Sequence, residues 1–95
     1  MYTIDITLET IVLDNGTYTI PFKIEILLDT NSVFIIAINV ERHMSDLKLN
    51  SIKDEVLDAF SAAWSNFNND NLTNLTTTIT TKLDLIENKI DKIVN

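Results

Sequence analysis

Over the first forty residues the apolar positions fall on every second place. Tyr2, Ile4, Ile6 and Leu8 alternate with Thr3, Asp5, Thr7 and Glu9, while Ile20, Phe22, Ile24, Ile26 and Leu28 alternate with Pro21, Lys23, Glu25 and Leu27. Period two is the mark of a strand with one buried face. The pattern therefore predicts a β-meander over 1–41, with the stretch from Ile20 to Leu28 as its middle strand. The first strand runs from Tyr2 to about Leu13, although beyond Thr10 the apolar groups of Ile11 and Leu13 move to the odd face.

Loop length sets the register of such strands. At Asp14-Asn15-Gly16, a two-residue Asn-Gly loop would place Leu8 opposite Lys23 and bury polar groups. A three-residue loop ending in a left-handed Gly16 instead pairs Val12 with Tyr18, Leu8 with Phe22, Ile6 with Ile24 and Ile4 with Ile26, and is the expected choice. Asp29-Thr30-Asn31, with Asn31 in the left-handed position, does the same for Ile26 with Phe34, Ile24 with Ile36, Phe22 with Ile38 and Ile20 with Val40. Pro21 removes a ladder donor from the middle strand, so an irregularity is expected beside it.

The period then changes. Residues 42–50 have none and read as a loop with one short turn. Ser51, with Asp54 three residues on, reads as a capping box that opens a helix over 51–68. Its apolar face is Ile52, Val56, Leu57, Phe60, Ala63, Trp64 and Phe67. Over 72–94 the repeat is seven: Leu72, Ile79, Ile86 and Ile93, with Thr76, Leu83 and Ile90 between them, form a coiled-coil seam. The threonines at 76–78 and 80–81 are poor helix formers, so the helical signal is strongest after Lys82. The seam Ile79, Leu83, Ile86, Ile90 and Ile93 must be covered either by the chain's own sheet or by further copies of the chain. Two helices cover three strands better than one. The expected fold is thus α+β, a three-stranded antiparallel meander followed by two helices packed on one face, with a homo-oligomer built on the seam as the alternative.

Ninety-five residues, 45% of them hydrophobic, fit one domain spanning 1–95. With no cysteine, one histidine and one glycine, the chain offers no disulfide, no zinc site and no glycine-rich phosphate loop. His43 is near Asp46 in a polar loop, too little for nucleophilic catalysis. Asp84, Glu87 and Asp91 are interspersed with Lys82, Lys89 and Lys92 as on a solvated helix face. No cofactor and no metal is implied, and an enzyme has nothing to support it. The start of the chain has no signal-peptide pattern, and the longest apolar run, Val33 to Ile38, is far short of a membrane span. A soluble cytoplasmic protein without a membrane partner is the expectation, in which the Asn-Xaa-Thr sequons at Asn15, Asn71 and Asn74 have no meaning.

Charge adds the one functional cue. The net charge is −7, and residues 1–41 hold six acids against Lys23 alone. Such a surface repels nucleic acid and suits a basic protein groove. In the expected register Asp5 lies directly opposite Glu25, with Lys23 only diagonal to it, and like charges so placed are destabilising. With Glu9 and Glu41 they form a candidate acidic platform for a cationic partner. On the same odd face Ile11, Leu13, Leu27, Val33 and Ile35 form a candidate apolar patch for a partner or a second subunit.

The three strands followed by helices, the acidic balance and the helix Ser51-Ile52-Lys53-Asp54-Glu55-Val56-Leu57-Asp58-Ala59-Phe60-Ser61-Ala62-Ala63-Trp64-Ser65-Asn66 resemble small acidic type II-A anti-CRISPR proteins of phage origin. The resemblance covers about half the chain. It implies a DNA-mimicking inhibitor that occupies the target-reading site of a CRISPR nuclease, a basic nucleic-acid-handling protein, in the host cytoplasm. The chain departs from those inhibitors in having no helix before the sheet, sparser acids and a heptad helix at its end. A structural module of a virion or appendage, assembled through the heptads, is the alternative function.

Overall fold

In the computed structural model, which describes residues 2–67 and 73–94 without the side chains of 49, 50 and 73–76, the middle strand turns its even residues into the core. Four strands, β1 (Tyr2–Leu8), β2 (Val12–Asp14), β3 (Thr17–Leu28) and β4 (Asn31–His43), form one antiparallel sheet. β3 lies at its centre, with β1 and β2 end to end along one edge and β4 along the other. Two helices, α1 (Leu49–Phe67) and α2 (Thr73–Val94), pack on a single face, α1 over β4 and α2 over β1. Ile4, Ile20, Phe22, Ile24, Ile26, Ile38 and Val40 from the sheet meet Ile52, Val56, Phe60 and Trp64 from α1 and Ile79, Leu83, Ile86 and Ile90 from α2 in one continuous core. None of the fifteen is more than 7% exposed. Among the described residues no helix is long and apolar enough to cross a membrane.

The central pairings are those the alternation predicts: Leu8 with Phe22, Ile6 with Ile24, Ile4 with Ile26, then Ile26 with Phe34, Ile24 with Ile36, Phe22 with Ile38 and Ile20 with Val40. The turns are not. Asp14 pairs with Thr17, so the first loop is the two-residue Asn15-Gly16, at φ 52° and 77°, as in a type I′ hairpin turn. Leu28 pairs with Asn31, so the second loop is Asp29-Thr30. Asp29, not Asn31, takes the left-handed position, at φ 57°. In each hairpin the extra residue sits in a bulge further along the ladder. Val12 pairs with Thr19 rather than Tyr18, and residues 9–11 carry one residue more than β3 offers opposite them. In the second hairpin the register slips by one between Ile26 and Leu27, leaving Val33 as the extra residue. A bulge lets a tight, well-twisted turn coexist with the register that the core needs.

Pro21 lies opposite the first bulge. Its carbonyl accepts the Glu9 N–H at 2.9 Å, and a residue's N–H and C=O leave a strand on the same edge. The missing donor therefore points at the interrupted β1–β2 edge, and the β3–β4 ladder loses nothing.

α1 starts two residues before its expected opening at Ser51, whereas α2 keeps the bounds that the heptad pattern gives it within the described residues. Ser51 lies inside the first turn of α1 and donates its Oγ–H to the Lys48 carbonyl at 2.8 Å, so the capping box with Asp54 does not form. This back-bonding satisfies the hydroxyl without ending the helix. α2 takes in the threonines, since packing of Ile79 and Leu83 on the sheet outweighs their weak propensity. Residues 42–48 hold the end of β4 and a 3₁₀ turn at Met44–Asp46. Leu72 and the Thr76 side chain, the start of the heptad pattern, fall outside the described residues.

Phe22→Ala and Phe60→Ala should each destabilise the domain by roughly 3–5 kcal/mol in chemical denaturation, because both rings fill the helix–sheet interface. Leu83→Ala should cost about 2–5 kcal/mol without changing the mass in solution, since its side chain is buried within one chain. A Cβ on Gly16 would stand 3.3 Å from His43 Nε2 at a φ of +77°. Gly16→Ala should therefore lower stability by about 1–2 kcal/mol, and an unchanged denaturation midpoint would count against the turn.

Candidate functional site

Two helices lie on one face of the sheet and, among the described residues, no element lies on the other, so the odd residues of the strands form a bare surface. Asp5 and Glu25 are direct partners on it, and the same rung continues to Ile35 on β4. Since Glu9 and Pro21 are a hydrogen-bonded pair, parity makes Asp5 and Glu25 one also, with their Cα atoms about 5.5 Å apart. Lys23 lies one rung away diagonally, between Thr7 and Ala37. Among the described residues neither acid enters a salt bridge. Glu41 pairs with Thr19, six residues along β3 from Glu25, so about 20 Å separates the two rungs. Glu9 stands at the bulge opposite Pro21, about 13 Å from that rung. The structure thus brings Asp5 and Glu25 together and spreads Glu9 and Glu41 along the same sheet face.

The apolar patch is smaller than the alternation suggests. Leu27 stays on the outer face, half-buried between Thr3 and Ser32, and Ile35 is 56% exposed there. Ile11 and Val33 are the bulge residues, and both pack partly buried against the core instead. The first bulge also exchanges the faces of β2. Leu13 pairs with Tyr18 on the helix side, and Val12, 53% exposed, takes the outer face beside Thr19. Leu13 is still half exposed because α2 ends near Leu8, short of β2. The second departure is Ile93, which is 61% exposed. A straight helix drifts about 20° per heptad against a strict seven-residue repeat, so by the last turn the seam has rotated outward and Val94 takes the inner place.

The polar groups on the helix side are structural. Arg42 closes the end of β4 onto α1, its Nη2 donating to Glu55 Oε1 at 2.8 Å and its Nη1 to the Glu41 carbonyl at 2.7 Å. Lys53 bridges the helices through Asp84 Oδ1 at 2.9 Å. That hydrogen bond, with the charges of Asp84, Glu87 and Asp54, raises the Lys53 pKa against the opposing effect of burial. Asp84, 52% exposed, stays on the solvated face of α2 while its carboxylate ties that helix to α1. His43 Nδ1 accepts the Ser45 N–H at 3.1 Å and lies 2.7 Å from Ser45 Oγ. This caps the 3₁₀ turn, and no carboxylate among the described residues orients the ring. No group of three or more His, Cys, Asp or Glu side chains among them is placed to hold a metal ion.

A cleft of about 560 Å³ opens between β1 and the end of α2, lined by Ile6, Thr7, Leu8, Ile86, Lys89, Lys92 and Ile93. Sequence pattern alone does not reveal it, since it depends on how α2 crosses the sheet edge. Comparison with protein-family models, curated proteins and solved structures finds no match for this chain.

Facing Asp5 and Glu25 across a rung carries a folding cost that an opposite pair would reverse. Asp5→Lys should raise stability by about 0.5–1 kcal/mol in urea denaturation at low salt. An unchanged midpoint would show that the carboxylates already splay into water.

Proposed function

We propose that this protein is a non-enzymatic protein-binding module whose bare sheet face receives a cationic, nucleic-acid-handling partner. The observation that carries this reading is the Asp5–Glu25 rung: two carboxylates held opposite each other on a face that no described element covers, with no cation among the described residues bonded to either. A like-charged pair works against folding, and retaining it makes sense where a partner supplies the missing positive charge. Glu9 and Glu41 extend the negative field along the sheet. A groove built for phosphates is attracted to such a field. An inhibitor of a host defence nuclease fits that chemistry. A structural module oligomerising through the heptads is less favoured, because Ile79, Leu83, Ile86 and Ile90 already face the chain's own sheet.

The double reversal Asp5→Lys with Glu25→Lys keeps a like-charged pair on the rung, so stability should stay near that of the parent while the field changes sign. Immobilised parent protein should capture a basic partner from a bacterial lysate at low salt and release it to duplex DNA, or at about 1 M salt, where the Debye length falls to about 3 Å. The double reversal should retain less than a tenth of that capture. Undiminished capture by the folded double variant would overturn the proposal.

A further inference from the structure

The cleft lies beside the outer edge of β1, where a further strand would pair. Three strands at about 4.8 Å spacing span about 14 Å, whereas two helices packed at 8–10 Å need about 20 Å. The helix layer is therefore wider than the sheet, and the cleft is the space between α2 and the β1 edge. The hydrogen-bond parity that pairs Thr3, Asp5 and Thr7 with β3 turns the N–H and C=O groups of Ile4, Ile6 and Leu8 to the outer edge of β1. No described strand or loop pairs with that edge. The side chains of Ile6 and Leu8, with Ile86 and Ile93, give the cleft an apolar lining, and Lys89 and Lys92 are part of the same lining on α2. Neither lysine is in a salt bridge or side-chain hydrogen bond among the described residues, whereas Arg42, Lys48 and Lys53 each face an acid. Lys23 and Lys82 likewise have no such partner among the described residues, but in a chain of net charge −7 Lys89 and Lys92 are the two cations that line this apolar cleft together.

We propose that this cleft is a strand-addition site that takes an extended, carboxylate-bearing peptide segment of a partner protein. The segment lies antiparallel or parallel to β1 and exchanges main-chain hydrogen bonds with Ile4, Ile6 and Leu8. Its alternate apolar side chains enter the space under α2, and its carboxylate meets Lys89 and Lys92. Main-chain bonds supply affinity in such additions, and the pockets for alternate side chains supply selectivity. The two lysines exclude basic segments, so this surface and the acidic sheet face select partners of opposite charge. The proposal does not rest on the acidic-face reading, because the two use different residues on different sides of β1.

The test is a random-peptide display selection on the immobilised full chain, counter-selected on the Lys89→Gln/Lys92→Gln double variant, followed by titration of one synthetic selected peptide into ¹⁵N-labelled protein. Peptides that alternate apolar and acidic residues should be enriched. The titrated peptide should slow amide exchange at Ile4, Ile6 and Leu8 while leaving Asp5 and Thr7, already bonded to β3, unchanged. The double variant, which loses the charges but stays polar, should bind it at least tenfold more weakly with unaltered circular dichroism. Amidating the peptide's C-terminus tells whether the carboxylate is terminal or carried by a side chain. The proposal is overturned by failure to enrich any peptide, by binding without slowed exchange at those three amides, or by equal affinity for the double variant. It is also overturned if sodium decanoate fills the cleft and the selected peptide does not, which would make it a site for an apolar anion.

Discussion

Everything in this fold rests on the row Ile20, Phe22, Ile24 and Ile26 of β3. The strand is paired on both edges and covered by two helices on one face, so these four side chains are shut off from water on every side. Burial of each contributes roughly 1.5–3 kcal/mol, and each also sets the height at which Ile4, Ile38 and Val40 must stand beside it. Moving any neighbouring strand by one residue would turn its apolar set into solvent. The register around β3 is consequently the quantity the structure protects, and the turns and edges give way to it.

How they give way is visible at both hairpins. Tight turns at Asn15-Gly16 and Asp29-Thr30 suit the twist of the strands but, continued without correction, would misalign the core by one residue. The bulges at 9–11 and at Val33 absorb that residue. Pro21 is placed where the first bulge has already interrupted pairing, so a residue that would damage most central strands costs this one little. The same bulges account for Ile11 and Val33 turning inward and Val12 turning outward, and so for an outer face more polar than simple alternation implies.

The helix layer brings a second mismatch, of width rather than register. α1 and α2 are tied by Lys53 and Asp84, and an aromatic cluster in which Trp64 lies edge-on to Tyr2 and Phe34 closes one end of their interface with the sheet. Two helices need more width than three strands offer. One result is a cleft beside β1 with unpaired backbone groups on one wall and lysines on the other. No described element covers the opposite face of the sheet, and its acids are left to solvent. The two surfaces that the protein can offer to other molecules both follow from placing two helices on one side of a narrow sheet.

Residue pattern by itself determined the central pairings and the strand faces along them, both helices and the α+β class, because period two and period 3.6 are imposed by the backbone and are legible wherever one face must be buried. It also placed Asp5 opposite Glu25, since that pair follows from the central register. Where the extra residue of each hairpin goes was decided only by the tertiary structure: a loop and a bulge of equal count leave the same core pairing, and nothing local distinguishes them. The exposure of Ile93 was likewise decided by packing on a sheet, which does not follow a seven-residue repeat as a supercoiled partner helix would. The cleft at β1, with Lys89 and Lys92 brought beside Ile6 and Leu8 from some eighty residues away, belongs to the crossing of α2 over the sheet edge, a relation between elements that no stretch of the chain contains.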